Sequence, residues 1–168
     1  MRILSFIKGI FSNDLYVQIW ENRLKVSNLN SSDGFDEEPL MALKKDHKGR
    51  PVVEAIGNIV RSLREQPEYE VVNPFSHPRV LVNNFQKAEK ILQHAFRYVH
   101  KSKFFAPSPR VVVQPMEKIE GGLTDVEERV FRELCLSAGA REVFLHVGEQ
   151  LSLFGMDINK LKAEGKLS

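Results

Sequence analysis

The chain has 168 residues, of which 42% are hydrophobic and 27% charged, and a formal net charge of +2 at pH 7. That is enough for one domain with a real core, and too mild a charge to point to nucleic acid without a cluster of Lys and Arg interleaved with stacking aromatics. Cys135 is the sole cysteine and no run of about 18 apolar residues occurs, which excludes an internal disulfide, a cysteine zinc site and a spanning helix.

Residues 1–11, MRILSFIKGIF, come first. Drawn as a helix, they gather Ile3, Leu4, Phe6, Ile7, Ile10 and Phe11 on a broad apolar side, with Arg2 and Lys8 on the other. A basic amphipathic helix at a terminus is how a peripheral protein lies on a bilayer, so membrane contact through this segment is expected. The alternative is packing on its own domain or on a second copy. Each partly buried side chain gains roughly 1–2 kcal/mol, while ordering each residue costs about 1–2 kcal/mol. Firm attachment therefore needs several copies or a bound partner. No small-residue cleavage site follows, so the segment is a poor signal peptide.

Residues 14–26, DLYVQIWENRLKV, alternate in hydropathy and predict a β-hairpin turning at Glu21-Asn22. Asn22 tolerates the positive φ that a tight hairpin needs. The polar stretch 27–38, with its acidic part between Asp33 and Glu38, predicts a loop. PLMALKK and VVEAIG predict strands on either side of a DHKGRP turn. Residues 57–66 predict a short helix that Pro67 ends. PRVLVNN, residues 78–84, suits another strand.

Asn84 can cap a helix whose apolar positions, Phe85, Ala88, Ile91, Leu92, Ala95, Phe96 and Val99, fall on one face. RVVVQP is a β-branched run suited to a strand buried on both faces. Thr124 and Glu127 have capping-box spacing. The helix they open carries a stripe of Val126, Val130, Phe131, Leu134 and Ala138 and stops at Gly139. REVFLHV predicts a strand, and a last short helix is expected from about Gly148 to Phe154. Residues 157–168 read as a polar tail, partly helical. The order predicts an α/β layered domain with a mixed sheet: antiparallel hairpin in front, parallel strands behind. The expected divisions are an amphipathic segment 1–11, a single domain 12–156 and the tail 157–168.

Chemistry-bearing constellations are few. His47, His77, His94, His100 and His146 form no metal-ligand spacing, and Cys135 has no evident base. The start of GLTDVEER could attract an anion, but the capping box already accounts for Thr124 and Glu127.

Several stretches in order along the chain carry a resemblance. These are FSNDL at 11–15, EKILQHAFRYVH at 89–100, PSPRVVV at 107–113, GLTDVEER at 122–129 and SAGAREVFL at 137–145. Together they resemble the N-terminal half of the MreB family of bacterial actin-like, rod shape-determining proteins. The resemblance implies an actin-like, ribonuclease H-like fold and an ancestral ATP site. That family's first hairpin carries Ile-Asp-Leu-Gly-Thr, which laid on this chain places Gln18 for Asp, Trp20 for Gly and Glu21 for Thr. Glycine there lets exposed N–H groups reach phosphate oxygens. Trp20 would fill the space, Glu21 would set a negative charge against a polyphosphate, and Gln18 cannot organise a magnesium ion as a carboxylate does.

Two further departures point the same way. After REVFLHV the family has Glu-Glu-Pro, whose carboxylate orients the attacking water; here stand Val147, Gly148 and Glu149. Glu149 reads simply as a favourable charge in a first helical turn. The resemblance also implies a second domain closing on the nucleotide, and these 168 residues reach only a little beyond the first. QPMEKIEGG is about four residues longer than its counterpart.

The expectation is therefore a non-enzymatic interaction module with no cofactor and no metal. Its expected partner is an MreB filament or another cell-shape protein, with homodimers held open. Its expected place is the cytoplasm, peripherally on the inner membrane face. The rival expectation is an actin-like ATP-binding protein whose site is completed by a second chain.

Overall fold

The computed structural model describes residues 13–100 and 107–168. Residues 1–11, and with them the membrane-contact expectation for Arg2, Ile3, Leu4, Phe6, Ile7, Lys8, Ile10 and Phe11, lie outside the described residues.

A five-stranded sheet organises the domain. β1 (Asp14–Ile19) and β2 (Leu24–Asn28) form the antiparallel hairpin, and β3 (Gly34–Glu37) adds to its edge. On the other side β1 pairs in parallel with β7 (Arg110–Pro115), and β7 with β8 (Glu142–Leu145), giving the order β3-β2-β1-β7-β8. This is the expected mixed sheet. A second, three-stranded antiparallel sheet has β4 (Met41–Lys45) between β5 (Pro51–Ile56) and β6 (Tyr69–Val72).

Period-two alternation sends the side chains of β1 to two cores. Leu15, Val17 and Ile19 join Val111 and Val113 in the main core, under α1 (Phe85–His100) and α2 (Asp125–Ser137). Tyr16 and Val112 face the other way and pack with Phe144 and Ile158. β7 is thus buried on both faces, as its β-branched run predicts. Met41 and Leu43 tie the small sheet to the main core, while Leu40 and Ala42 pack against Val60 of the 3-10 helix Asn58–Leu63.

Asn84 caps α1 by accepting a hydrogen bond from the Lys87 backbone at 3.0 Å. The Thr124 capping box of α2 is complete: Glu127 N–H donates to Oγ1 at 3.3 Å, and Thr124 N–H to Glu127 Oε2 at 2.8 Å. Gly139 follows α2 with φ 119°, a backbone conformation that L side chains rarely adopt.

Six expectations are corrected. The acidic stretch 33–38 is not loop but carries β3, because Phe35 is buried against α1 and Asp36 pairs with Arg23. Residues 78–84 form no strand, for no sheet edge meets them; Asn83 instead ties the segment back to the carbonyls of Pro74 and Ser76. The strand in that region is β6, upstream. Val126 does not belong to the buried stripe of α2: it is 71% exposed and lines a groove of about 200 Å³ with Val80, Val82 and Leu123. Cys135 takes a buried place instead. No helix runs from Gly148 to Phe154; α3 (Ile158–Ala163) comes later, capped by Asp157. Stretch 157–168, read as a polar tail, folds back on the sheet: Ile158 is buried, and Ser168 and Leu145 exchange backbone hydrogen bonds at 3.0 and 3.1 Å. Asn22 has no positive φ; Trp20 N–H donates to the Arg23 carbonyl at 2.9 Å and closes the turn without it.

Candidate functional site

The hairpin tip is where the sequence places Gln18, Trp20 and Glu21, and each lies differently. Gln18 is fully buried in β1, on the face opposite the main core. Its Nε2 reaches Met116 Sδ at 3.8 Å, and its Oε1 has no hydrogen-bond partner among the described residues. Trp20 sits half-buried on the tip with the Arg23 guanidinium 5.1 Å above its ring centroid. The Arg23 fork in turn grips both Asp36 oxygens, at 2.7 and 2.6 Å, so the cation over the indole is held in place.

Glu21 is the hub. Its Oε2 takes a hydrogen bond from Lys118 Nζ at 2.9 Å and its Oε1 one from Ser76 Oγ at 2.9 Å. The Lys118 and Ser76 contacts hold its carboxyl below the usual carboxylate range. Its carbonyl accepts from Asn73 Nδ2 at 2.8 Å, and its own N–H donates to Glu117 Oε2 at 2.7 Å. Lys118 also donates to the His77 carbonyl. Among the described residues it is the one non-glycine with positive φ, 58°. A lysine in that region costs on the order of 1 kcal/mol, and here its ammonium finds two anchored oxygens.

The electrostatic picture expected for Glu21 is thus corrected. Its charge does not stand open toward a polyphosphate; Lys118 neutralises it. The Glu21 N–H, at a position that the resemblance lays on a phosphate hairpin, donates to the Glu117 carboxylate. Asn73, Ser76, Glu117 and Lys118 were missed by sequence reasoning, since they stand 52 to 97 positions from Glu21. The available signal was the extra length of QPMEKIEGG, which supplies Glu117 and Lys118.

Below the tip, the second face of the sheet carries a buried polar row. Tyr16 Oη donates to Gln114 Oε1, and Gln114 Nε2 donates to the carbonyls of Gly148 and Glu149 at 2.9 and 3.1 Å. Burial pushes the Tyr16 phenol up to about 12. The ring nitrogens of His146 lie 2.8 Å from the Lys166 carbonyl and 2.9 Å from that of Glu149. Glu149 therefore meets the site through its backbone and lies in no helix, contrary to the first-turn role expected of it.

The remaining candidates are dispersed. His94 stacks edge-on against Phe35, His100 Nδ1 lies 2.9 Å from Asn13 Nδ2, and His77 Nδ1 accepts from the Arg79 backbone. Cys135 is fully buried, its thiol pushed up to about 12, so it is no nucleophile in the folded chain. Among the described residues no group of three or more His, Cys, Asp or Glu is placed to hold a metal ion, and no helix is long and apolar enough to cross a membrane.

The chain is similar to known proteins. The cell shape-determining protein MreB of Escherichia coli strain K12 is 30% identical over 168 residues, spanning 98% of this chain and 47% of that protein. The chain thus spans about half the length of the curated relatives it matches. A crystal structure of MreB5 of Spiroplasma citri bound to AMPPNP superposes with a TM-score of 0.59 at 15% identity, over 79% of this chain and 38% of that one. A MamK double helical filament gives 0.56 at 15%, over 81% and 41%. These two likenesses establish the actin-like fold. The family profile described as MreB/Mbl protein matches residues 32–167, which include the 73–77 loop, the Glu117–Lys118 turn and both long helices; the chain belongs to that family of actin-like, cell shape-determining proteins.

Proposed function

We propose that this chain is a non-hydrolysing member of the MreB/Mbl family, acting by docking on cell-shape filaments rather than by turning over ATP. One observation carries the reading: the Glu117 carboxylate accepts the Glu21 N–H at 2.7 Å. A carboxylate oxygen from the chain itself occupies the donor that a phosphate oxygen would take. Trp20 under Arg23 replaces the open backbone of a phosphate hairpin with a large aromatic surface, and Gln18 offers an amide where a metal-organising carboxylate would be needed. What remains is an actin-like fold. MreB of E. coli is a cell shape-determining protein, and MamK forms a double helical filament. A filament of such relatives is the partner best matched to this scaffold. Association with the inner membrane face, through residues 1–11, and homodimers belong to the same proposal.

Two measurements test it. Isothermal titration with Mg-ATP gives no saturable binding, and the chain co-sediments with preassembled MreB filaments whether or not nucleotide is added. Micromolar ATP binding overturns the nucleotide part and revives a site completed by a second chain. Failure to pellet with filaments overturns the docking part.

A further inference from the structure

Residues 147–155 leave β8 and form an exposed bulge in which only Leu151 is partly buried. Within it stand Gln150, Leu151, Ser152, Leu153 and Phe154. Phe154 is 98% exposed, more than any other large hydrophobic residue described, and Leu153 is 42% exposed. The apolar residues on either side are treated differently. Phe144 and Ile158 are buried in the second-face cluster, with Leu151 and Met156 packed against it. Two adjacent large side chains are thus left in water between segments that the fold does cover.

The bulge is held at both feet. Gln114 Nε2 bonds the carbonyls of Gly148 and Glu149, and His146 Nε2 lies 2.9 Å from the latter. At the far end Met156 N–H donates to the Leu153 carbonyl at 3.3 Å across Gly155, whose φ is 67°. The five residues are therefore presented from the domain as a short peptide on fixed anchors.

We propose that residues 150–154, Gln-Leu-Ser-Leu-Phe, are a docking peptide for a protein with a preformed apolar cleft, of the kind that bacterial DNA sliding clamps offer to peptides of this pattern. The peptide supplies one primary amide, a donor and acceptor together, and then three large apolar side chains within four residues. Its five side chains carry no charge. A complementary site has a polar mouth that bonds the amide and an apolar floor that takes Leu and Phe, so that a few anchors carry the affinity. A lipid surface or a second copy would also cover Phe154; lipid needs no partner for the Gln150 amide, and a second copy would show as dimerisation, so Q150A and the oligomeric state separate the three. Leu153 and Phe154 are accessible as they stand; Leu151 leaves its place beside Tyr16 when the cleft closes on it.

The test uses the full chain and a purified bacterial sliding clamp in isothermal titration. Binding in the micromolar range is expected. L153A/F154A weakens it by roughly tenfold or more, and Q150A weakens it measurably. Both variants keep the wild-type unfolding midpoint, because the altered side chains are exposed, and both still pellet with MreB filaments. Free Gln-Leu-Ser-Leu-Phe peptide competes. The inference is overturned if the wild type gives no saturable binding, if L153A/F154A binds as well as wild type, or if Q150A is unaffected. Loss of pelleting on phosphatidylglycerol vesicles, or of dimerisation, on L153A/F154A without any clamp binding would assign the bulge to lipid or to self-association instead.

Discussion

Glu117 and Glu21 stand 96 positions apart in the chain, and the carboxylate of one lies 2.7 Å from the backbone nitrogen of the other. Two acidic residues meet without repulsion because the contact is carboxylate to N–H, while the Glu21 carboxylate turns to Lys118 and Ser76. Replacing Glu117 with Ala frees that N–H at a solvent-accessible tip. The expected loss is about 1 kcal/mol, read from urea unfolding. Mg-ATP titration of E117A still shows no binding, because Trp20 and Gln18 are unchanged.

The lowered carboxyl of Glu21 makes the tip pH-sensitive. A carboxylate held below its ordinary value of 4.5 contributes stability that is fully present above that pH and lost as pH falls through the folded value. E21Q removes the contribution. Melting temperatures of wild type and E21Q therefore differ at neutral pH and converge in the acid range below about 4.5. A gap that persists unchanged into strong acid would show that the Lys118 contact contributes nothing.

At the other end of β1, the Arg110 fork holds Asp14 through bonds of 2.9 and 2.6 Å, and little of either side chain is exposed. Arg110 also reaches Asn159 at 3.0 Å, tying β1 and β7 to α3. Truncating Arg110 strands a buried carboxylate, and R110A is expected to cost about 3–5 kcal/mol by chemical denaturation. D14L/R110M, which removes both charges and keeps apolar volume, recovers most of the loss.

Cys135 reports on the core. Burial raises its thiol to about 12, so Ellman's reagent should label the folded chain only at its unfolding rate and label it at once in denaturant. Rapid labelling under native conditions would mean that α2 leaves the sheet far more often than its packing suggests.

Periodicity is local, which is why α1, β7 and the Thr124 cap could be read directly: each signal lies within a few residues of the structure it specifies. Strand status at the edges is not local. Residues 34–37 pair because β2 lies beside them, and residues 78–84, more apolar, do not pair because no edge is offered. Likewise Val126 fits the stripe of an isolated helix, yet the 79–83 loop turns its neighbourhood into a groove.

The amino-acid sequence determined the layered α/β domain, the hairpin with Gln18, Trp20 and Glu21 at its tip, and the resemblance that the family profile bears out. Those properties follow from alternation, capping and residue identity, which need no knowledge of distant neighbours. Tertiary structure decided which partners meet Glu21, that Glu117 takes its N–H, that the 157–168 stretch covers the second face, and that Phe154 is left in water. Hydrogen bonds and burial act through space, so residues far apart in the chain become neighbours only when the sheet and its crossovers are assembled.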